Sequence, residues 1–214
     1  MRFWVFQTLN GLTTGALLFF LASGLTVIFG LMRILNLAHG ALFLFGGYVG
    51  YTVNERTGSF VLAVLAGALA AGVLGVLIQQ GFSTSLLRSP FNQVLLTLGL
   101  AFIISNAILY FWGGTPKLMR PPEPLRGSRE ILGVFYPQYR LMLIALALVA
   151  AVILYFVWER SRLGAIVRAC VDDRDMAAAM GIRVDLVFAA VFAIGAALAG
   201  MTGVLGAPVL GLSI

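Results

Sequence analysis

The chain's one histidine, His39, stands in the stretch MRILNLAHGALF, residues 32 to 43, with Arg33 and Asn36 just before it and long apolar runs on either side. A guanidinium, a carboxamide and an imidazole this close together suit a catalytic site, a polar link between two helices, or part of a route through a membrane. Catalysis lacks companions. No second histidine supports paired acid and base work, and no serine sits in a Gly-x-Ser-x-Gly elbow, although Ser23 precedes Gly24. One histidine and one cysteine, Cys170, on different segments cannot form a Cys/His metal cluster. The single lysine, Lys117, follows Pro116 and not a Gly-rich turn, so the chain has no phosphate-cradling loop with which to hydrolyse ATP itself.

The elements that must position these residues are membrane helices. The chain has 214 residues, 61% hydrophobic and 10% charged, with a mean hydropathy of +1.02, against roughly 25% charged in a soluble domain. Six segments are predicted, at about 9–31, 35–53, 59–79, 94–112, 141–158 and 186–207. They lack the period-two alternation of barrel strands, so the fold is expected to be all-α, a polytopic transmembrane helical bundle. The uncharged run from Phe3 to Met32 exceeds the core of a cleavable leader, so it is read as a retained first span. None of the eight acidic residues (Glu55, Glu123, Glu130, Glu159, Asp172, Asp173, Asp175 and Asp185) falls inside a predicted span. That argues against a proton-coupled carrier, which usually holds a carboxylate in the membrane. The net charge of +6 lies in short loops without interleaved aromatics, so it suits anionic lipid headgroups better than nucleic acid.

Small residues are ordered along the segments. Gly11, Gly15, Ala22 and Thr26 form one smooth stripe on the first span, Gly46 and Gly50 a pair on the second, and Gly195, Ala199 and Gly203 a series on the sixth. Such stripes let helices approach closely in lipid, and helix packing is the expected role, with pore lining as the alternative. The loop Gly113–Arg140 holds five of the seven prolines, which excludes a long helix and leaves room for a hairpin at Ile131 to Tyr136. The segment Glu159–Asp185 is charged and helical in pattern, with Leu163, Ile166, Val167 and Cys170 at i, i+3, i+4 and i+7. Within it, Asp172 or Asp173 is positioned to N-cap a second short helix, and Gly181 suits its left-handed end.

The stretch from Asn10 to Tyr51, NGLTTGALLFFLASGLTVIFGLMRILNLAHGALFLFGGYVGY, closely resembles the amino-terminal signature of permease subunits of branched-chain amino-acid ABC importers, the LivH-like family. The stretch from Leu163 to Ala207 is similar to that family's cytoplasmic loop and the span after it. The resemblance implies a permease domain covering residues 1–214, with an extracytoplasmic Pro-rich loop at 113–140 and a cytoplasmic coupling loop at 159–185. Implied partners are a second permease, two cytoplasmic ATPases that hold the ATP and magnesium, and a periplasmic amino-acid-binding protein. No cofactor is expected in this chain, which would sit in the bacterial inner membrane. In ABC importers generally, a loop helix with a Glu-Ala-Ala-x-x-x-Gly pattern seats on the ATPase. Asp175, Met176, Ala177 and Gly181 occupy that spacing here, with Ala178 beside them, so the glutamate and first alanine are replaced. Arg168, Arg174, Asp172 and Asp173 are candidates for rim ion pairs.

Charge does not settle orientation. With the coupling loop inside, Arg33, Arg88, Arg160, Arg162, Arg168, Arg174 and Arg183 lie inside, and the other seven cations lie outside. The chain ends in apolar sequence just after Pro208, where relatives continue with about two more segments, so a truncated permease is expected. Rival readings are an ABC permease for urea, amides or other amino acids, and a non-transporting scaffold or channel-like protein. For the opening stretch, Asn36 is expected to N-cap the second span, with His39 and Gly40 in its first turn. The further role of these three residues is either to organise the bundle or to form part of the translocation pathway or its gate.

Overall fold

Backbone amides have no water to bond in hydrocarbon, so the long apolar runs close their hydrogen bonds internally as helices. In the computed structural model, which describes residues 2–32, 35–81, 89–131 and 133–213, these are α1 Arg2–Met32, α2 His39–Thr57, α3 Phe60–Gly81, α4 Pro90–Trp112, α5 Gln138–Tyr155 and α8 Val184–Leu210. Between the last two come a π-helical turn at Phe156–Arg160 and two short helices, α6 Arg162–Asp172 and α7 Arg174–Ala179. Arg33 and Arg88, both counted in the charge tally, lie outside the described residues.

Five of the helices among the described residues are long and apolar enough to cross a membrane, where six spans were expected. The exception is α2, which carries His39, Asn54, Glu55 and Arg56. It also ends later than predicted, so Glu55 lies within its last turn. It packs against α3, α4 and α8; of its polar residues His39 is buried, whereas Glu55 and Arg56 are exposed in the last turn, where Asn54 and Glu55 line a recess with the Pro-rich loop.

The middle of the bundle is α8, against which α1, α2 and α3 pack. The contacts are backbone to backbone. A Cβ added to Gly46 would lie 2.2 Å from Gly200 Cα, and one on Gly203 would lie 2.0 Å from the Phe43 carbonyl oxygen. Gly50 abuts Val204 and the Ala63 carbonyl, Gly195 abuts Gly24 and Ile28, and Ala199 is fully buried. The first-span stripe is placed differently. Gly11, Gly15, Ala22 and Thr26 are exposed, and nothing lies within 4 Å of a Cβ built on Gly11 or Gly15. The face of α1 that packs within this chain carries Thr13, Ala16, Leu17, Phe20, Gly24, Val27 and Ile28.

The loop after α4 folds back on the bundle. β1 Ser128–Ile131 and β2 Val134–Pro137 form an antiparallel hairpin, slightly longer than predicted. The Tyr136 hydroxyl lies 2.8 Å from Thr13 Oγ1 and donates to Asn10 Oδ1 at 3.1 Å, and Arg140 donates to the same oxygen at 2.8 Å. Gly133 lies beside the Arg2 guanidinium, so the first residues of α1 mark the hairpin end of the bundle. The other end of α1 meets α6, through Val27 and Val167. The Pro-rich loop and the 159–185 segment therefore cap opposite ends.

Candidate functional site

Two places collect the chain's unusual side chains: the start of α2 and the segment from Ser161 to Asp185.

Residues 35–38 are not helical, and their backbone polar groups are served by a distant helix. Gln93 Oε1 accepts from the Leu35 N–H at 3.3 Å. The buried Thr97 hydroxyl accepts from the Leu37 N–H at 3.2 Å and lies 3.2 Å from the Leu35 carbonyl. Asn36 does not cap the helix as expected. Its Oδ1 takes the Ala38 N–H at 3.1 Å, while Ala38 stands at the N-cap position without any side-chain cap bond. The physical reason is register: the helix begins three residues later than the asparagine, so an Asx turn forms in place of a cap. His39, first in the helix, has its Nε2 3.1 Å from the Leu21 carbonyl of α1.

That contact fixes the depth of the site. Leu21 lies 11 residues before the end of α1, or about 16 Å along it at 1.5 Å per residue. A Cβ on Gly24 would touch both His39 and the carbonyl of Gly195, which lies 11 residues into α8. Thus α1 and α8 both run on past the start of α2, and α2 begins between them inside the bundle. Asn36 and His39 are 3% and 4% exposed, and among the described residues Asn36 Nδ2 and His39 Nδ1 have no hydrogen-bond partner. Beside them, no described atom lies within 4 Å of a Cβ placed on Gly40.

The second place is built by local rules. The Ser161 hydroxyl caps α6 by accepting the Gly164 N–H at 3.2 Å and itself donates to the Val157 carbonyl. α6 buries Gly164, Val167 and Cys170, leaving the predicted stripe residues Leu163 and Ile166 at 64% and 36% exposure. Val167 and Cys170 are buried as the pattern predicts, whereas Gly164 is buried in place of Leu163 and Ile166 because it packs against the Trp158 backbone of the preceding π-helical turn. Asp173, of the two candidate aspartates, caps α7 by accepting the Met176 N–H at 2.9 Å. Gly181 has φ +84°, and the bonds Gly181 N–H to Ala178 carbonyl and Ile182 N–H to Ala177 carbonyl form a Schellman close.

Of the residues picked for this loop, Ala177 is buried with Cys170 and Val184, whereas Asp175, Met176, Ala178 and Gly181 are exposed. Asp175 and Ala178 line a recess of about 540 Å³ with Arg174 and Arg183. The candidate rim charges are partly committed within the chain. Arg174 pairs with Asp185 at 2.6 Å and lies over the Phe188 ring, and Arg168 donates to the Trp158 carbonyl.

Sequence reasoning missed Gln93 and Thr97. The available signal was two polar residues at i and i+4 on one face of a mainly apolar span, which in lipid need a partner.

Comparison with known proteins adds the remaining findings. A family model described as "Branched-chain amino acid transport system / permease component" matches residues 7–212. The high-affinity branched-chain amino acid transport system permease protein BraD of Pseudomonas aeruginosa is 26% identical over 212 residues, covering 93% of this chain and 69% of that protein. The permease protein LivH of the corresponding Salmonella typhimurium system is 27% identical over 213 residues with the same coverage, and LivH of Escherichia coli is 27% identical over 215 residues. No solved structure matches the chain significantly.

Proposed function

Because the chain belongs to the family of permease components of branched-chain amino-acid transport systems, and is thus a multi-pass inner-membrane permease subunit of an ABC importer and not an enzyme, we propose that it conducts branched-chain or related amino acids past the start of α2. In this reading the 159–185 segment faces the cytoplasm and seats on an ATPase. The Pro-rich loop faces outward toward a binding protein, and a second permease completes the pathway with two ATPases below. ATP and magnesium belong to those partners.

The observation that carries the reading is the placement of the α2 start. The 159–185 segment packs on α1 through Val167 and Val27, and on α8 through Cys170, Ala177 and Val184. Those same two helices meet beside His39, where a Cβ on Gly24 would touch both the imidazole and the Gly195 carbonyl, whereas residues 35–37 are tied to α4 by Gln93 and Thr97. A push on α7 from a closing ATPase pair moves α1 and α8 against α4. That motion opens or closes the backbone break between them, as expected for alternating access around an interrupted helix. Met176 and Met180, 62% and 77% exposed, present apolar surface for the docking, and the exposed Ala178 permits close approach.

The test is ATP-driven leucine uptake by the reconstituted transporter, together with co-purification of the ATPases, for Ala178→Glu and Met180→Glu. Loss of association with a normally folded permease is expected. Unchanged association in both variants would overturn the docking assignment, and uptake of urea or short amides in place of leucine would overturn the substrate.

A further inference from the structure

We propose that the start of α2 is a transit subsite for the zwitterionic head group of an amino acid: Asn36 Nδ2 and the first-turn N–H groups of Gly40 and Ala41 donate to the carboxylate, and His39 Nδ1 accepts from the ammonium. This inference rests on the permease reading above and gives it a chemical site.

The assignment of roles follows from the partners already present. Asn36 Oδ1 is occupied by the Ala38 N–H, so the free atom of that side chain is its amide nitrogen, a donor. The Leu21 carbonyl can only accept, so His39 Nε2 carries the hydrogen that points at it. In the neutral imidazole this leaves Nδ1 as an acceptor, and that atom is the one without a partner. The first-turn N–H groups have no intrahelical carbonyl to receive them, and a helix start favours negative charge. Donor and acceptor thus sit three residues apart at the helix start, and no described atom lies within 4 Å of a Cβ placed on the adjoining Gly40.

Charge balance selects the ligand class. Among the described residues, the buried polar and charged side chains are Thr13, Asn36, His39, Gln93, Thr97 and Thr202, none of them a carboxylate, lysine or arginine. A lone anion or cation at this depth would lack a counter-charge, which is costly in a low-dielectric interior. A zwitterion is neutral overall, and its two ends match the two free atoms. An orphaned buried polar atom costs free energy, and two in one turn are both relieved by the same passing ligand.

His39 is the only histidine, so its ring can be observed by itself. The transporter is assembled in lipid nanodiscs with isotope-labelled histidine in this chain alone, and the imidazole nitrogen resonances are followed by NMR as leucine is added. The expected result is a saturable shift of Nδ1 with leucine and at least roughly tenfold weaker responses to isocaproate, which lacks the ammonium, and to isoamylamine, which lacks the carboxylate. Asn36→Leu should weaken the leucine response while leaving that to isoamylamine unchanged. An Nδ1 resonance unmoved by leucine, as for a site holding only water, or one moved equally by isoamylamine, overturns the subsite. The wild-type measurement decides even if the variant fails to fold. ATP-driven leucine uptake by the same preparation separates the outcomes: uptake with an unmoved His39 overturns the subsite alone, and the absence of uptake overturns the permease reading beneath it.

Discussion

Gly46 of α2 meets Gly200 of α8 so closely that a Cβ on the first would lie 2.2 Å from Cα of the second. Backbone cannot yield as a flexible side chain can, so Gly46→Ala must separate the two helices, at a cost of about 1–3 kcal/mol for an overpacked contact. Thermal unfolding of the detergent-solubilised chain should fall clearly for Gly46→Ala and more for Gly46→Val. Gly15→Ala, where no atom lies within 4 Å of the new methyl, should leave it unchanged. A Gly46→Ala protein as stable as the parent would mean that the α2–α8 contact is looser than described.

That contrast marks how far the sequence could be read. The small-xxx-small pattern is equally regular at Gly11–Gly15 and at Gly46–Gly50, yet one pair is open and the other closes on α8. Periodicity reports that a helix face is smooth, not which helix covers it. The cap of α7 and its Schellman close were legible because every participant lies within ten residues, Asp173 to Ile182. The broken start of α2 was not, because its backbone is satisfied by Gln93 and Thr97, about sixty residues on. Local signals nominated Asn36 as a cap, and a tertiary contact overrode them.

The tie between Thr97 and residues 35–37 makes a second prediction. Thr97→Val keeps the shape and removes the hydroxyl, depriving the part-buried Leu37 N–H of its acceptor and loosening the Leu35 carbonyl. A fully buried stranded group costs about 1–3 kcal/mol, and less is expected here because Leu37 is half exposed and the membrane-embedded unfolded state finds substitutes. Uptake should drop more than thermal stability does, and Thr97→Ser should restore most of it. Equal losses in the serine and valine variants would show that the methyl, not the hydroxyl, matters.

Tyr139 at the start of α5 donates to the Leu205 carbonyl at 2.7 Å, next to the point where Pro208 deprives α8 of an N–H. Tyr139→Phe removes this bond in a buried setting and should lower stability by about 1 kcal/mol. The fall would be read as a shifted unfolding midpoint in detergent. Because the residue belongs to the packing of α1, α5 and α8 and lies far from the 159–185 segment, co-purification of the ATPases should be unaffected. Lost association would connect this end of the bundle to docking.

Gly181 adopts φ +84°, a conformation that side chains other than glycine disfavour. Gly181→Val should therefore disturb the end of α7, by roughly 1–2 kcal/mol of local backbone strain. Since α7 has six residues, too few to hold a helix by itself, that strain suffices to fray it. ATPase co-purification should weaken while unfolding of the whole chain shifts little, and Gly181→Asn should be milder than Gly181→Val. A valine variant that docks normally would show that α7 need not be helical to dock.

The Arg174–Asp185 pair links the start of α7 to the first turn of α8 at 2.6 Å, but its side chains are 48% and 85% exposed. Exposed pairs contribute about 0–1 kcal/mol and weaken with salt. The seat of α7 on the bundle instead comes from Ala177, Cys170 and Val184 closing together, with Ile182 packed against them. Asp185→Asn should accordingly change thermal stability by less than about 1 kcal/mol, an effect that shrinks further at high ionic strength. Ala177→Glu, which places an unpaired charge in that cluster, should release α7 and abolish docking. If Asp185→Asn proved the more damaging of the two, the ion pair and not the apolar cluster would be what holds α7 in place.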